Sequence, residues 1–278
     1  MTYSTLMVHL TLGVSNEALL RLTADMAGRL KAREVIGIAA CQPLQVYDEG
    51  ALYLSPDIIE QDRADMEKEL KAAEARFRDV LQGKAPELEW RSTVSYSLLA
   101  DYIAQQMRAA DLLITGPDPG GSVLDSTRRV SVADLVMRVG RPVLVVEPET
   151  DQLNLDNVVV GWKDSREARR ALEDALPLLK MARRVTVVEI ALDEEIPAAR
   201  GRLADIVAWL KRHDISAEAQ AASSIGDDAT RLGAIAQTLG AGLLVAGAYG
   251  HNRLREWVLG GVTRDLLLRP SRCSFVSH

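Results

Sequence analysis

The sequence predicts an α/β protein made of two repeated units, each a five-stranded parallel sheet covered by helices on both faces. Two observations predict this fold class. Short apolar runs rich in β-branched residues alternate with stretches of helical periodicity along all 278 residues, which is typical of parallel sheets with crossover helices. The second observation is an internal repeat, which divides the chain into two similar halves.

The repeat is visible in two pairs of segments. Ser15-Asn16-Glu17-Ala18-Leu19 follows an apolar run in the first half, as Ser165-Arg166-Glu167-Ala168-Arg169 does in the second. Further along, 111–116 matches 242–247 with a smaller offset, so the first half carries an insertion, which we place in 42–82. We therefore expect a first domain over 1–148, a linker over 149–157 and a second domain over 158–278.

The elements of the second half follow from periodicity and end signals. Ser165 can cap a helix, and Pro197 stands where a proline is tolerated in a first helical turn. The predicted strands are 158–161, 185–191, 217–223, 243–246 and 274–277, and the predicted helices begin at 165, 197, 228 and 262.

The first half repeats this order with a longer second helix, which we expect over 58–81. We expect the charged residues of this helix to form a solvated face with i,i+4 ion pairs. These residues are Glu67, Lys68, Glu69, Lys71, Glu74 and Arg76. A polar loop at 47–50 precedes it, which indicates a surface that faces a partner or acts as a lid.

Composition and charge exclude several function classes. The net charge of −6 and the lack of a basic stripe argue against nucleic acid. No apolar run is long enough to span a membrane, and the start of the chain does not have the pattern of a signal peptide, so the expected location is the cytoplasm. Cys41 and Cys273 are expected to be reduced, packed thiols. The four histidines are too scattered to predict a metal site, and no catalytic set is recognisable.

A glycine loop follows the apolar run 243–246. Gly247, Gly250 and Gly260 stand where a loop joins a strand to a helix, and such loops hold phosphate through backbone N–H groups. His251 lies in the loop and could contact phosphate. The alternative is a tight exit from a buried strand, for which glycine supplies a positive φ.

These residues resemble the universal stress protein family in its tandem form. The resemblance rests on Gly247-x-x-Gly250-x9-Gly260 and on the first strand, loop and helix over 158–172. It implies a Rossmann-like α/β sandwich of the adenine nucleotide alpha hydrolase type, ATP binding in many members, and pairing of domains through the last strand. Carried onto this sequence, it implies a nucleotide site formed by Gly247, Gly250, His251, Gly260, Gly261, Val262, Lys163 and Ile190, with Ile190 against adenine.

Two positions depart from the nucleotide-binding pattern. Lys163 stands where those members have Asp, and an ammonium group cannot accept the nucleoside's hydrogen bonds. Gly261 replaces a Ser or Thr that donates to phosphate. Losing one such bond costs roughly 1.5–3 kcal/mol, which predicts about 10- to 100-fold weaker binding. Lys163 could instead attract phosphate as a point charge, or be an ordinary surface lysine.

The first half departs further from the pattern. Pro119 and Arg129 occupy the places of the second and third glycines, and Asp118 and Asp125 add negative charge there. Pro119 has no N–H to offer a phosphate. We therefore expect the first half to act as a structural partner without a ligand.

The sequence thus predicts a stress-response protein that senses a nucleotide or another anion, with weak binding of ATP or another adenine nucleotide in the second half. A scaffold that binds no nucleotide and has a vestigial crevice is the alternative, and slow ATP hydrolysis is a third reading. We expect the two halves to pair through 143–146 and 274–277, whose edges would otherwise be open. Whether the chain also forms a homodimer stays open at this stage.

Overall fold

The computed structural model describes residues 2–43, 56–118, 128–248 and 272–278. The first half contains strands β1 (Thr5–His9), β2 (Glu34–Cys41), β3 (Glu87–Val94), β4 (Leu112–Thr115) and β5 (Val143–Val145). Its helices are α1 (Glu17–Leu30), α2 (Pro56–Leu81), α3 (Leu99–Gln106) and α4 (Val132–Arg138).

The second half repeats this order. Its strands are β6 (Asn157–Trp162), β7 (Arg184–Ala191), β8 (Ala217–Ser223), β9 (Leu243–Gly247) and β10 (Cys273–Ser277). Its described helices are α5 (Arg166–Asp174), α6 (Leu176–Leu179), α7 (Ile196–Arg212) and α8 (Asp228–Thr238). The helix expected from residue 262 lies outside the described residues.

All ten strands form one sheet in the order β3-β2-β1-β4-β5-β10-β9-β6-β7-β8. Every neighbouring pair is parallel except β5 and β10, which run antiparallel with Phe275 opposite Leu144. The last strands of the halves therefore meet at the centre of the sheet, as expected, and each covers the edge that the other would leave open.

Local signals in the sequence explain the helix starts. The Ser165 hydroxyl accepts a hydrogen bond from the backbone N–H of Ala168 at 3.2 Å, and Pro197 lies in the first turn of α7. The longer second helix of the first half is also present, because α2 has 26 residues and α7 has 17.

One hydrophobic core runs across both halves. Helices α1, α2, α5 and α7 cover one face of the sheet, while α3, α4 and α8 cover the other. The segment 149–157, which we predicted as a linker, contributes to the first of these layers because Leu153 and Leu155 are buried in it. These two leucines therefore anchor the connection on the core, and Arg29 of α1 also donates to the Leu153 carbonyl at 2.7 Å.

Candidate functional site

The strand order reverses twice, once between β1 and β4 and once between β6 and β9. Ligands of open α/β sheets bind at the carboxyl ends of strands where the order reverses. The structure therefore has two candidate crevices, one in each half, and the sequence placed the ligand in the second.

The crevice of the first half begins on a buried pair of polar side chains. His9 at the end of β1 is 2% exposed, and its Nδ1 lies 3.0 Å from the hydroxyl oxygen of Thr115 at the end of β4. Burial lowers the pKa of His9 to about 4, so the imidazole is neutral at physiological pH. The Thr115 hydroxyl thus satisfies one ring nitrogen of this buried histidine.

The carboxylate of Asp118 lies at the start of α4. Its Oδ1 accepts a hydrogen bond from the backbone N–H of Val132 at 2.8 Å, and burial raises the pKa of this carboxyl group. The free N–H groups of a first helical turn are the groups that bind phosphate. Asp118 engages one of them, consistent with the expectation that it opposes a phosphate; Pro119 and Asp125 lie outside the described residues.

Helix α2 covers the end of β2. Met66 and Leu70 pack against Leu12 and Cys41, and the thiol of Cys41 is buried beneath them. Burial raises the pKa of Cys41 to about 11. The part of the predicted insertion that forms α2 therefore covers the carboxyl end of β2.

Arg128 forms two ion pairs that hold α2 in this position. The Arg128 guanidinium lies 3.1 Å from an Asp62 carboxylate oxygen and 3.2 Å from one of Glu69. Glu69 was expected on the solvated face of the helix, and this contact corrects that expectation. The loop at 47–50 lies outside the described residues.

The crevice of the second half presents a lysine instead. Lys163 directly follows β6 and its side chain is exposed. It makes no ion pair within the described parts of the chain, whereas its neighbour Asp164 is paired with Arg169. Among the described residues, Lys163 is thus an unpaired cation at the point where the strand order reverses.

Position 247 requires a glycine, but not for the positive φ that the sequence suggested. Its φ is not positive. A Cβ on Gly247 would lie 2.5 Å from both the Ala168 nitrogen and the Glu167 carbonyl carbon, in the first turn of α5. The glycine permits this close approach of helix and strand, which a larger residue would prevent.

The other predicted site residues divide into two groups. Ile190 is partly buried and packs on a cluster that contains Val188, Leu232 and Ile235, so its position is explained by the core. Gly250, His251, Gly260, Gly261 and Val262 lie outside the described residues.

The predicted site residues did not include two exposed apolar side chains near the second crevice. Leu192 follows β7 and is 52% exposed, and Ile225 lies two residues beyond β8 and is 69% exposed. The signal in the sequence is a large aliphatic residue just after a strand and before polar or glycine residues.

An ion pair between the buried Glu189 and Arg202 was also not predicted from the sequence. Glu189 on β7 is 5% exposed and accepts a hydrogen bond from Nε of Arg202 at 2.9 Å. Its other oxygen and the indole nitrogen of Trp162, the residue paired with it on β6, have no hydrogen-bond partner among the described atoms. A single glutamate inside a β-branched strand was the available signal.

The described residues contain no group of metal-ligating side chains. Among them there is also no helix with the length and apolar character of a membrane span. Both findings concern the described part of the chain only.

Comparison with known proteins supports the fold. No protein-family profile and no curated protein matches the sequence. A universal stress protein from Archaeoglobus fulgidus DSM 4304 matches the structure with a TM-score of 0.75 at 14% identity, over 99% of this chain and 98% of that one.

Two proteins from Pseudomonas aeruginosa match over 99% of this chain as well. A proposed universal stress protein from strain UCBPP-PA14 has a TM-score of 0.60 at 14% identity and is covered over 93%, and a functionally unknown protein from strain PAO1 has 0.58 at 15% and is covered over 92%. At these identities the likeness concerns the fold. The chain therefore has the fold of the universal stress proteins, with two such units joined in one sheet.

Proposed function

We propose that the protein is a ligand-responsive interaction protein whose second half binds a phosphate-bearing small molecule, with adenine nucleotides bound weakly. The observation that carries this proposal is the difference between the two crevices. Among the described residues, the first holds the carboxylate of Asp118 and is flanked by α2, whereas the second presents Lys163, which has no ion pair there, at the carboxyl end of β6.

Lys163 favours an anion at this place. A lysine acts on phosphate as a compact point charge and needs no fixed geometry. Because Arg169 engages the neighbouring Asp164, the negative charge closest along the chain is already compensated. The ligand expected at β6 is thus anionic, and the same lysine cannot accept the hydrogen bonds that an Asp there would accept from a nucleoside.

The exposed side chains of Leu192 and Ile225 support an organic ligand over a bare inorganic anion. They follow β7, which is paired with β6, and β8, which is the next strand beyond β7, and both lie on the carboxyl edge of the sheet. Apolar surface beside a few polar groups is typical of small-molecule sites. A ligand with a phosphate at Lys163 and an apolar ring towards these residues would use both features.

The proposal is tested by calorimetric titration of ATP, ADP and AMP into the wild type, Lys163→Glu and the control Lys180→Glu. Lys180 is an exposed lysine at the opposite, amino-terminal edge of the sheet, just before β7. Loss of a charge-assisted contact predicts at least about 10-fold weaker binding by Lys163→Glu and no change for Lys180→Glu. Equal weakening by both variants would show a general charge effect and refute the site.

The scaffold function stays a second candidate because of Gly247. The packing of α5 on this residue explains the first glycine of the loop without a ligand. If the purified protein released no nucleotide on denaturation, and neither the wild type nor a Lys163→Asp/Gly261→Ser double variant gave a calorimetric signal, the scaffold would be favoured. Tighter binding by the double variant would support a weakened nucleotide site.

A further inference from the structure

We propose that two copies of this chain associate through the outer edge of β8, antiparallel to each other about a two-fold axis at Gln220. Within the described parts of the chain, strand β8 is the last strand of the sheet on the side of the second half and pairs only with β7. The pairing of β5 with β10 already uses the last strands within the chain, so the two outer edges are those of β3 and β8.

The backbone hydrogen bonds show which residues of β8 face outward. The N–H of Ser224 donates to the carbonyl of Ala191 at 2.8 Å, so residue 224 points towards β7. Backbone groups alternate between the two sides of a strand, so even-numbered residues face β7 and odd-numbered residues face outward. The outward residues are Ala217, Ala219, Ala221 and Ser223.

The two outer edges differ in their side chains. Strand β3 carries Glu87, Glu89 and Arg91, and Arg91 is paired with Glu89 at 2.8 Å. Charged side chains of this kind protect an edge strand from adding another strand. Strand β8, with the sequence AEAQAAS, has only Glu218 and contains no Lys, Arg or Pro. Its edge is the unprotected one.

The sequence of β8 is complementary to itself about its central residue. An antiparallel two-fold pairing at Gln220 places Ala219 opposite Ala221 and Ala217 opposite Ser223, which are all outward residues able to exchange hydrogen bonds. The same register places Glu218 opposite Ala222, so no like charges oppose each other. The two Gln220 amides meet on the axis, and an amide both donates and accepts.

The space beside β8 has room for an added strand. A cavity of about 350 Å³ lies between α7 and the edge, lined by Arg200, Leu203, Ala204, Ala219, Gln220 and Ala221. The side chains of Ala217 and Ala221 point to the α7 face. The outward residues of a second β8 are alanines and a serine, and their small side chains would lie in the same layer.

The first test is the mass of the full chain in solution by light scattering and sedimentation. We expect a dimer for the wild type and a monomer for Ala219→Pro/Ala221→Pro, because proline removes outward N–H groups while the bonds to β7 are kept. The matched control is Ser92→Pro on β3. The N–H of Ser95, just after β3, donates to the carbonyl of Cys41 on β2, so odd-numbered residues face β2. The even-numbered residues of β3, which include Ser92, therefore face outward. This control should stay dimeric.

The second test is independent of proline and fixes the register. Gln220→Cys should form an intermolecular disulfide under mild oxidation, because opposite residues that share no hydrogen bonds are close in an antiparallel pair. Glu218→Cys, which would face Ala222, should crosslink at least about 10-fold more slowly. A monomeric wild type, a dimer that survives the double proline change, or equal crosslinking at both positions would overturn the proposal.

Discussion

Gly116 and Gly247 stand at corresponding strand ends in the two halves, but their surroundings differ. Neither has a positive φ. A Cβ on Gly116 would meet no atom within 4 Å, whereas one on Gly247 would lie 2.5 Å from backbone atoms of α5. Backbone atoms at a helix start cannot move aside as a flexible side chain can, so only the second position requires glycine.

We therefore expect Gly247→Ala to lower the free energy of unfolding by about 1–3 kcal/mol, the usual cost of overpacking. The matched variant Gly116→Ala should not be destabilised, since alanine at an unstrained site restricts the unfolded chain. Urea denaturation of both variants checks this. An equal loss in both would mean that the contact with α5 does not set the requirement.

The two halves also differ in the charged residue that lies at each crevice. The first half holds the carboxylate of Asp118 at a helix start, and the second exposes the ammonium group of Lys163 at a strand end. The two residues do not occupy equivalent positions in the repeat. Under the proposed function, the carboxylate of Asp118 would repel a phosphate and the ammonium group of Lys163 would attract one.

At the scale of elements, helix α2 accounts for the closed end of the first half. Its length lets Met66 and Leu70 cover Cys41, and Arg128 holds the helix through Asp62 and Glu69. Burying an aliphatic side chain contributes about 1.5–3 kcal/mol, more than a partly exposed ion pair. The packing supplies most of the stability of this contact, and the ion pairs fix the position of the helix.

This arrangement predicts the reactivity of the two cysteines. Both are buried, and burial raises the pKa of Cys41 and of Cys273 to about 11, so both should react slowly with a thiol reagent at pH 8. Arg128→Ala should speed the labelling of Cys41 by about 10-fold and leave Cys273 unchanged.

The control for this prediction is Arg63→Ala, which removes an exposed i,i+4 pair with Glu67 on the same helix. It should change neither rate, because such pairs contribute little. If Arg128→Ala accelerated both cysteines equally, the effect would be general loss of stability and the role assigned to Arg128 would be wrong. Peptide mapping after labelling distinguishes the two thiols.

At the scale of the whole molecule, the two halves are joined by more than the β5–β10 pair. Asp174 of α5 lies at this junction and is 9% exposed. Its carboxylate accepts a hydrogen bond from the Ser277 hydroxyl at 2.6 Å, and its backbone carbonyl accepts one from the Tyr3 hydroxyl of the first half. Arg170 of α5 also donates to the carbonyl of Gly140 in the first half at 3.0 Å.

We expect separately expressed segments 1–152 and 153–278 to form a one-to-one complex when mixed. Each segment alone should associate with itself or aggregate, because the edges of β5 and β10 would be exposed. Asp174→Ala in the second segment should weaken the complex by about 10-fold or more, since the contacts of a buried charged group are lost. Size-exclusion chromatography with light scattering measures both effects. A stable monomeric second segment with the melting behaviour of the full chain would contradict this prediction.

The sequence by itself determined the element order, the repeat and the pairing of the last strands. These follow from local properties: apolar periodicity, the cap at Ser165, the proline at 197 and short apolar strands with open edges. The position of Lys163 at the end of β6 was also predicted, because a strand end is set by the residues next to it.

Only the tertiary structure decided how each crevice is used. Arg128 contacts Asp62 from 66 positions away, and Asp118 contacts Val132 from 14 positions away. The need for glycine at 247 comes from a helix that starts some eighty residues earlier. No local pattern encodes such contacts, because they depend on which surfaces packing brings together after each element has formed. The repeat can therefore be recognised in the sequence, while the contacts of Arg128, Asp118 and Gly247 are properties of the folded chain.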